Sequence, residues 1–307
     1  MTAAALDTAS TVWRAGRPVD VRGTLRPLLR GRSDRAHRVL DGVFWRAALT
    51  PAGPATLALR QVGRDEVEAT AWGPGAAWTV ESVPDLLGAR DSLDGFDPRH
   101  PVLTDVHRRH PGIRVPRTGL VLDSMIPAIL EQKVTGTQAH QAWSFLLQRY
   151  GGAAPGPAPA GLRVPPPPAV LLTVPTWDWH RAGVDGRRQR AIRAAATVAA
   201  RLEECCSLSP AQALARLRVV PGIGVWTAAE TAQRALGDAD AVSVGDFHIP
   251  GLVGHFLIGR RVDDDGMLAL LAEYAPHRHR VVRLIELSGV GKPRYGPRFS
   301  PTDMRSF

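Results

Sequence analysis

The segment Leu217-Arg218-Val219-Val220-Pro221-Gly222-Ile223-Gly224-Val225-Trp226-Thr227-Ala228 constrains this chain more than any other. A helix over about 211–218 runs into a Pro-Gly-x-Gly turn, and a second helix starts near Val225 and ends near Gly237. Gly222 and Gly224 can adopt backbone angles closed to other residues and let the main chain approach another molecule closely. The turn lies at a helix N-terminus, where unpaired N–H groups and the helix dipole favour an anion. On a basic protein, such a hairpin is suited to gripping a nucleic-acid phosphate without reading sequence. Asp246 follows twenty residues after Trp226.

The basic character is clear. Lys+Arg number 38 against 29 Asp+Glu, a net charge of +9. The cations are overwhelmingly Arg, which forks well onto phosphate, so a polyanionic partner is expected, nucleic acid foremost. The 307 residues suffice for two domains and a sizeable core. Two adjacent cysteines, Cys205 and Cys206, exclude a disulfide framework and a four-cysteine zinc or iron–sulfur site. The N-terminus carries Asp7 and Arg14 without a long apolar stretch, and no apolar run approaches the roughly 20 residues of a membrane span. A soluble cytoplasmic protein, nucleoid-associated if bacterial, is expected.

Val-Pro-Gly-Ile-Gly-Val-Trp-Thr-Ala, with Val244-Gly245-Asp246-Phe247-His248 beyond it, resembles the helix-hairpin-helix DNA glycosylase superfamily. The tryptophan after the hairpin points to the alkylpurine branch, the 3-methyladenine DNA glycosylase II (AlkA) type. The fold that follows is α+β. An N-terminal antiparallel β-sheet domain with helices (1–97) precedes an all-α helix-hairpin-helix glycosylase region (98–288) in two helical subdomains with a cleft between them. The hairpin spans 211–237, the segment carrying the aspartate 242–257, and a Pro/Gly-rich tail 289–307.

The alternation of residues supports that division. Strands are expected at Val19-Asp20-Val21, Gly42 to Leu49, Ala55 to Gln61, Glu66 to Trp72 and around Trp78 and Val80, with short helices at Leu25 to Leu29 and Val83 to Leu87. From Pro98 the pattern turns helical. Asp123 is placed to cap a helix with Ile126, Ile129 and Leu130 on one face. Thr137 to Tyr150 is a second helix, Gly151 to Pro168 a surface loop between helices, and Val184 to Glu204 contains an Arg-rich helix. Three more helices follow Asp246, at Phe247 to Leu257, Asp265 to Tyr274 and His277 to Leu287.

The resemblance implies roles for particular residues. Asp246 would stand beside the sugar carbon, stabilise the positive charge that builds as an N-glycosidic bond breaks, and orient or deprotonate a water. It also suits an ordinary helix N-cap, and the two roles are compatible. Trp226 stands where bifunctional relatives hold a lysine nucleophile, so a water-using, monofunctional enzyme is implied. It could stack on an extruded base or simply fill the core. Phe247, Glu230 and His277 are further pocket candidates; a carboxylate at Glu230 and an imidazole at His277 depart from the aromatic residues such enzymes can show there. Gly222, Ile223, Gly224 and Thr227 would grip the DNA backbone. Gln132 and Lys133 would fill the gap left by the flipped base, although an apolar wedge is more usual than a lysine. Main-chain carbonyls of Arg218, Val220 and Ile223 would hold a monovalent cation, Na or K; no cofactor is required and no iron–sulfur cluster is expected.

The function implied is base excision repair by a monomer on double-stranded DNA containing damaged bases, with alkylated and other damaged purines as substrates. Two alternatives stand beside it: a non-catalytic lesion-sensing DNA-binding protein, and a glycosylase with AP-lyase activity.

Overall fold

The computed structural model describes residues 7–290; the expected tail from 291 onward lies outside the described residues. Five strands, β1 (Thr8–Arg14), β2 (His37–Leu40), β3 (Val43–Thr50), β4 (Gly53–Gln61) and β5 (Glu66–Trp72), form an antiparallel sheet in the order β1-β5-β4-β3-β2. β5 alternates as its sequence suggests, with Val67, Ala69 and Ala71 buried. That face packs on α1 (Val21–Leu25), α2 (Ala76–Glu81) and α3 (Val83–Leu86) through Leu25, Leu57, Leu59, Val83 and Leu86.

Two expected strands are not strands. Val19 and Asp20 lead into α1, where the Asp20 carboxylate accepts the Gly23 N–H at 2.7 Å; the short polar side chain ends the extended run and starts the helix. Trp78 and Val80 lie in α2, because Gly73-Pro74-Gly75 turns the chain directly into a helix whose Thr79 hydroxyl bonds back to the Gly75 carbonyl. β1 and β2 were not foreseen. Both are edge strands with little buried apolar surface.

The rest of the chain is helical. In order come α4 (Pro101–Arg109), α5 (Val121–Leu130), α6 (Gly136–Tyr150), α7 (Pro168–Thr173), α8 (Thr176–Arg181), α9 (Gly186–Thr197), α10 (Ala199–Glu203), α11 (Pro210–Arg218), α12 (Val225–Ala235), α13 (Ile249–Ile258), α14 (Asp264–Leu271) and α15 (Arg278–Leu287). They divide between two cores. One gathers α5 to α12 around Met125, Ile129, Trp143, Trp179 and Leu217. The other joins α4 to α13–α15 through Leu103, Val106, Val253, Met267, Val281 and Ile285. The architecture is therefore α+β, with two helical subdomains behind an N-terminal sheet.

The proline-rich loop 151–168 does not dangle. It forms a short ribbon, β6 (Gly152–Ala153) with β7 (Arg163–Val164), and folds onto the second face of the sheet. There Leu162 and Val164 pack with Ala47 and Trp45, and Trp45 stacks on Trp72 at 5.9 Å. The expected Arg-rich helix breaks at Val198 into α9 and α10.

Asp123 is not a cap. It sits within the first turn of α5 and pairs with Arg46 of β3 at 3.1 Å. The cap comes from a distant part of the chain: the Glu203 carboxylate accepts the N–H groups of Val121 and Leu122 at 2.8 and 2.9 Å. Burial raises the Glu203 pKa, against the pull of those two N–H groups. Glu203→Ala leaves both donors unmet. We expect it to lower the unfolding free energy by about 1–2 kcal/mol, measured by urea denaturation.

A candidate active-site cleft between the hairpin and the C-terminal helices

The hairpin is built as its glycines require. Gly222 has φ +88°, and a Cβ there would come within 2.8 Å of the Ala191 Cβ of α9. Both the left-handed backbone and the close approach to α9 call for glycine. Gly224 is extended and begins α12; a Cβ on it would meet nothing within 4 Å. Its backbone faces open space, as an exposed grip on a ligand would need.

The turn after α5 is tied to this hairpin. Gln132 Nε2 donates to the Gly222 carbonyl at 3.0 Å and to the Thr227 hydroxyl at 2.8 Å. Arg188 of α9, almost wholly buried, donates to the Leu130 carbonyl at the end of α5. Lys133 projects from this turn with φ +54° and is exposed. Thr227 departs from its expected role. It is buried, and its hydroxyl takes the Gln132 amide and is not presented to solvent. Ile223 is buried as well, so only its main chain remains for a ligand. Of the carbonyls considered for a monovalent ion, that of Val220 accepts the Ile223 N–H at 3.0 Å.

Asp246 is held by three N–H groups. Oδ1 accepts from His248 N at 2.6 Å and Ile249 N at 2.9 Å, so the residue does cap the entry to α13. Oδ2 accepts from Trp226 Nε1, at the start of α12, at 3.0 Å. The carboxylate is half-buried and lines a cleft of about 670 Å³ between the two helical subdomains.

The cleft is polar. On α12, Glu230 pairs with Arg234 at 2.8 Å and accepts the Ser243 hydroxyl at 2.5 Å. Gln233 donates to the same Ser243 oxygen at 2.9 Å. Arg30, just after the short 3-10 turn Arg26–Leu28, pairs with Glu131 at 2.8 Å. This N-terminal wall is absent from the sequence reading, since no local pattern marks a loop of one domain as the side of a cleft in another. Burial works against the Arg234 charge, but Glu230, Glu131 and Glu286 outweigh it and its pKa is raised. Burial lowers that of Arg30, against the pull of Glu131. His279 of α15 also lines the cleft, and burial, with Arg283, Arg234 and Arg280 adding to it, holds its pKa well below the ordinary value.

Two pocket candidates are not in the cleft. Phe247 is 78% exposed and meets the His248 ring edge-on. The turn that aims Asp246 inward points its neighbour outward. His277 is buried elsewhere: its Nε2 lies 3.0 Å from the Asp94 carbonyl and its ring meets Phe96 at 5.2 Å. It helps fasten the 91–97 segment to α15, alongside the Arg280–Asp91 ion pair. Two residues further on, His279 occupies the place in the cleft that His277 does not. Trp226 and Glu230 do line the cleft.

No family model matches the chain. A curated relative, the probable bifunctional transcriptional activator/DNA repair enzyme AlkA of Mycobacterium tuberculosis, is 31% identical over 170 residues, which is 54% of this chain and 31% of that protein. The chain thus spans about a third of the length of the curated relative it matches. Among solved structures, 3-methyladenine DNA-glycosylase from Archaeoglobus fulgidus superposes with a TM-score of 0.76 at 17% identity, covering 91% of this chain and 98% of that one. The 8-oxoguanine glycosylase/lyase of Clostridium acetobutylicum, in complex with double-stranded DNA containing cytosine opposite 8-oxoguanine, gives 0.66 at 11% identity, covering 92% and 98%. The chain shares its fold with these two solved DNA glycosylases.

His279 gives a pH prediction. Its folded pKa is depressed, so the unfolded chain binds a proton that the native state resists. The stability it contributes is fully present above its ordinary pKa of 6.5 and is lost as pH falls below that toward the folded value. Thermal unfolding scanned from pH 8 to pH 5 should show Tm falling more steeply for the native protein than for His279→Leu.

Proposed function

We propose that this chain, with the fold and the hairpin of the helix-hairpin-helix DNA glycosylases, is a monofunctional DNA N-glycosylase acting on damaged purines in double-stranded DNA. One observation carries the proposal: a carboxylate, Asp246, fixed at the mouth of a cleft by an N–H from the first turn of the hairpin's second helix. The hairpin main chain around Gly222 and Gly224 would hold a phosphate, placing the adjoining nucleotide against Asp246. The damaged base would swing out of the stack into the cleft, at an unstacking cost of a few kcal/mol that is smallest for a weakly paired lesion. Lys133, exposed beside Gln132, would occupy the gap in the duplex.

The chemistry follows from what is fixed. The bond between C1′ and the base nitrogen breaks with its electron pair leaving on the base. Positive charge grows on the sugar, and the Asp246 carboxylate stabilises it electrostatically. Water bonds to C1′ through oxygen and gives up a proton, which ends on the base or in solvent. With an indole at position 226 and Lys133 on a turn outside the cleft lining, no lysine among the described residues lines the cleft to form a Schiff base, which favours the water route over a lyase. An alkylated purine, implied by the resemblance, is one member of the substrate class. The same site would suit nucleoid DNA in a cytoplasmic protein acting as a monomer, with a monovalent ion at the Arg218, Val220 and Ile223 carbonyls.

Asp246→Asn should cut base release from single-lesion duplexes by about a hundredfold or more while affinity for abasic-site DNA persists. Unchanged excision would mean that the aspartate is not catalytic. Trp226→Phe keeps the ring and deletes the N–H; losing one hydrogen bond to a charged group, about 1.5–3 kcal/mol, should slow single-turnover excision by roughly 10- to 100-fold. Gly224→Ala should leave Tm unchanged, because the added methyl meets open space, and weaken DNA binding at least fivefold in a fluorescence anisotropy titration.

A further inference from the structure

Lys133 is a flexible side chain on a constrained backbone. Its φ of +54° lies in the left-handed region, which a residue other than glycine holds only where its surroundings fix it. The long stem is exposed and turns freely, so its aim is set by the turn that carries it. Three contacts fix that turn. Arg188 donates to the Leu130 carbonyl at 2.9 Å, Gln132 reaches the hairpin, and Arg30 pairs with Glu131 at 2.8 Å. The first two lie within one helical subdomain. The third comes from the N-terminal domain.

Arg30 is itself held in place. It is buried, and its backbone N–H donates to the Asp34 carboxylate at 2.8 Å. The same carboxylate accepts the Ala36 N–H at 2.8 Å and lies 3.2 Å from Nδ1 of His37 at the start of β2. Gly31 has φ +75°, and a Cβ there would come within 2.8 Å of Nδ1 of His140 on α6. Arg35 donates to Ser144 and Gln148 of the same helix at 3.2 and 3.1 Å. The loop 30–36 therefore lies against α6 and meets the end of α5 at Glu131, and these two helices flank the Lys133 turn. An enclosed ion pair adds little to folding stability once desolvation is counted, but it fixes where its two ends lie.

We propose that Arg30 is a positioning residue. From the N-terminal domain it holds, through Glu131, the turn that presents Lys133 to the gap in the duplex, so the sheet domain takes part in extruding the nucleotide. The inference rests on Lys133 entering DNA as proposed above. Arg30 touches no reacting atom and acts through Lys133, so its effect must vanish when the lysine side chain is gone.

The test uses the full chain and fluorescence anisotropy on two duplexes, one undamaged and one carrying a tetrahydrofuran abasic-site analogue, whose gap Lys133 would fill. Neither releases a base, so positioning is read apart from chemistry, and the undamaged duplex controls for the lost positive charge. Arg30→Met, with native circular dichroism at the assay temperature, should weaken binding of the abasic-site duplex by about fivefold or more and leave the undamaged duplex within about twofold. Lys133→Ala should do the same, and adding Arg30→Met to it should cost less than about a further twofold. Arg30→Lys, which keeps a cation opposite Glu131, should regain part of the loss. Glu131→Gln, isosteric and uncharged, carries the same test where Arg30→Met does not fold. A merely structural Arg30 would weaken both duplexes alike, or its effect would add in full to that of Lys133→Ala. Either result would overturn the proposal, as would an unchanged preference for the abasic-site duplex in Arg30→Met or in Lys133→Ala. Base release from lesion duplexes is scored separately. Loss of the preference in Arg30→Met, with no release from any lesion by the native protein, would sink the enzymatic reading and keep the positioning one. Release by the native protein, with a preference that Arg30→Met does not alter, would do the reverse.

Discussion

The site depends on how the Asp246 carboxylate is immobilised. Three N–H groups meet its two oxygens. Two belong to the backbone entering α13 and one to an indole on the hairpin helix. A carboxylate on a half-exposed loop would otherwise turn freely toward water. Here its direction is fixed before any ligand arrives, which is what electrostatic stabilisation of a developing charge requires. The cap on α13 and the candidate catalytic group are one interaction: the bonds that start the helix also aim the acid.

The indole bond transmits the position of the hairpin to the acid, and the hairpin is itself positioned by α9. Gly222 lies against Ala191, and Arg188 from the same helix fastens the end of α5. Gln132 then joins the α5 turn to the Gly222 carbonyl and to Thr227. Hydrogen bonds therefore run from Gln132, the neighbour of Lys133, to the hairpin and from Trp226 on to Asp246. A phosphate held at Gly224 and a side chain inserted at Lys133 would share one frame with the acid.

The parts of this line that rest on local chemistry were legible in the sequence. Pro-Gly-x-Gly between two amphipathic runs specifies a turn and a helix start, and Asp246 ahead of Ile249 reads as a cap. What could not be read were facings and distant partners. Phe247 and His277 have the right composition for a pocket, but a bend at Gly245 turns one outward and the Phe96 contact draws the other away. His279 sits two residues past His277 on a helix, and nothing in its spacing separates a cleft-facing imidazole from a core one. Asp123 looked like a cap because Asp commonly is one; the carboxylate that performs that task lies eighty residues later, at Glu203. β1 and β2 escaped notice because edge strands bury too little to show a pattern. The Arg30–Glu131 pair spans residues 101 positions apart, beyond any local signal.

The same pairs bear on why the cleft is built this way. Burying an ion pair costs desolvation that its attraction barely offsets, and apolar replacements of similar volume are often neutral or stabilising. Stability alone therefore does not account for Arg30–Glu131 and Arg234–Glu230, both enclosed and both opening on the space that Asp246 faces. A wall of fixed, mutually neutralised charges presents oriented dipoles at little net charge. Such a surface discriminates between ligands by the donors and acceptors on their edges.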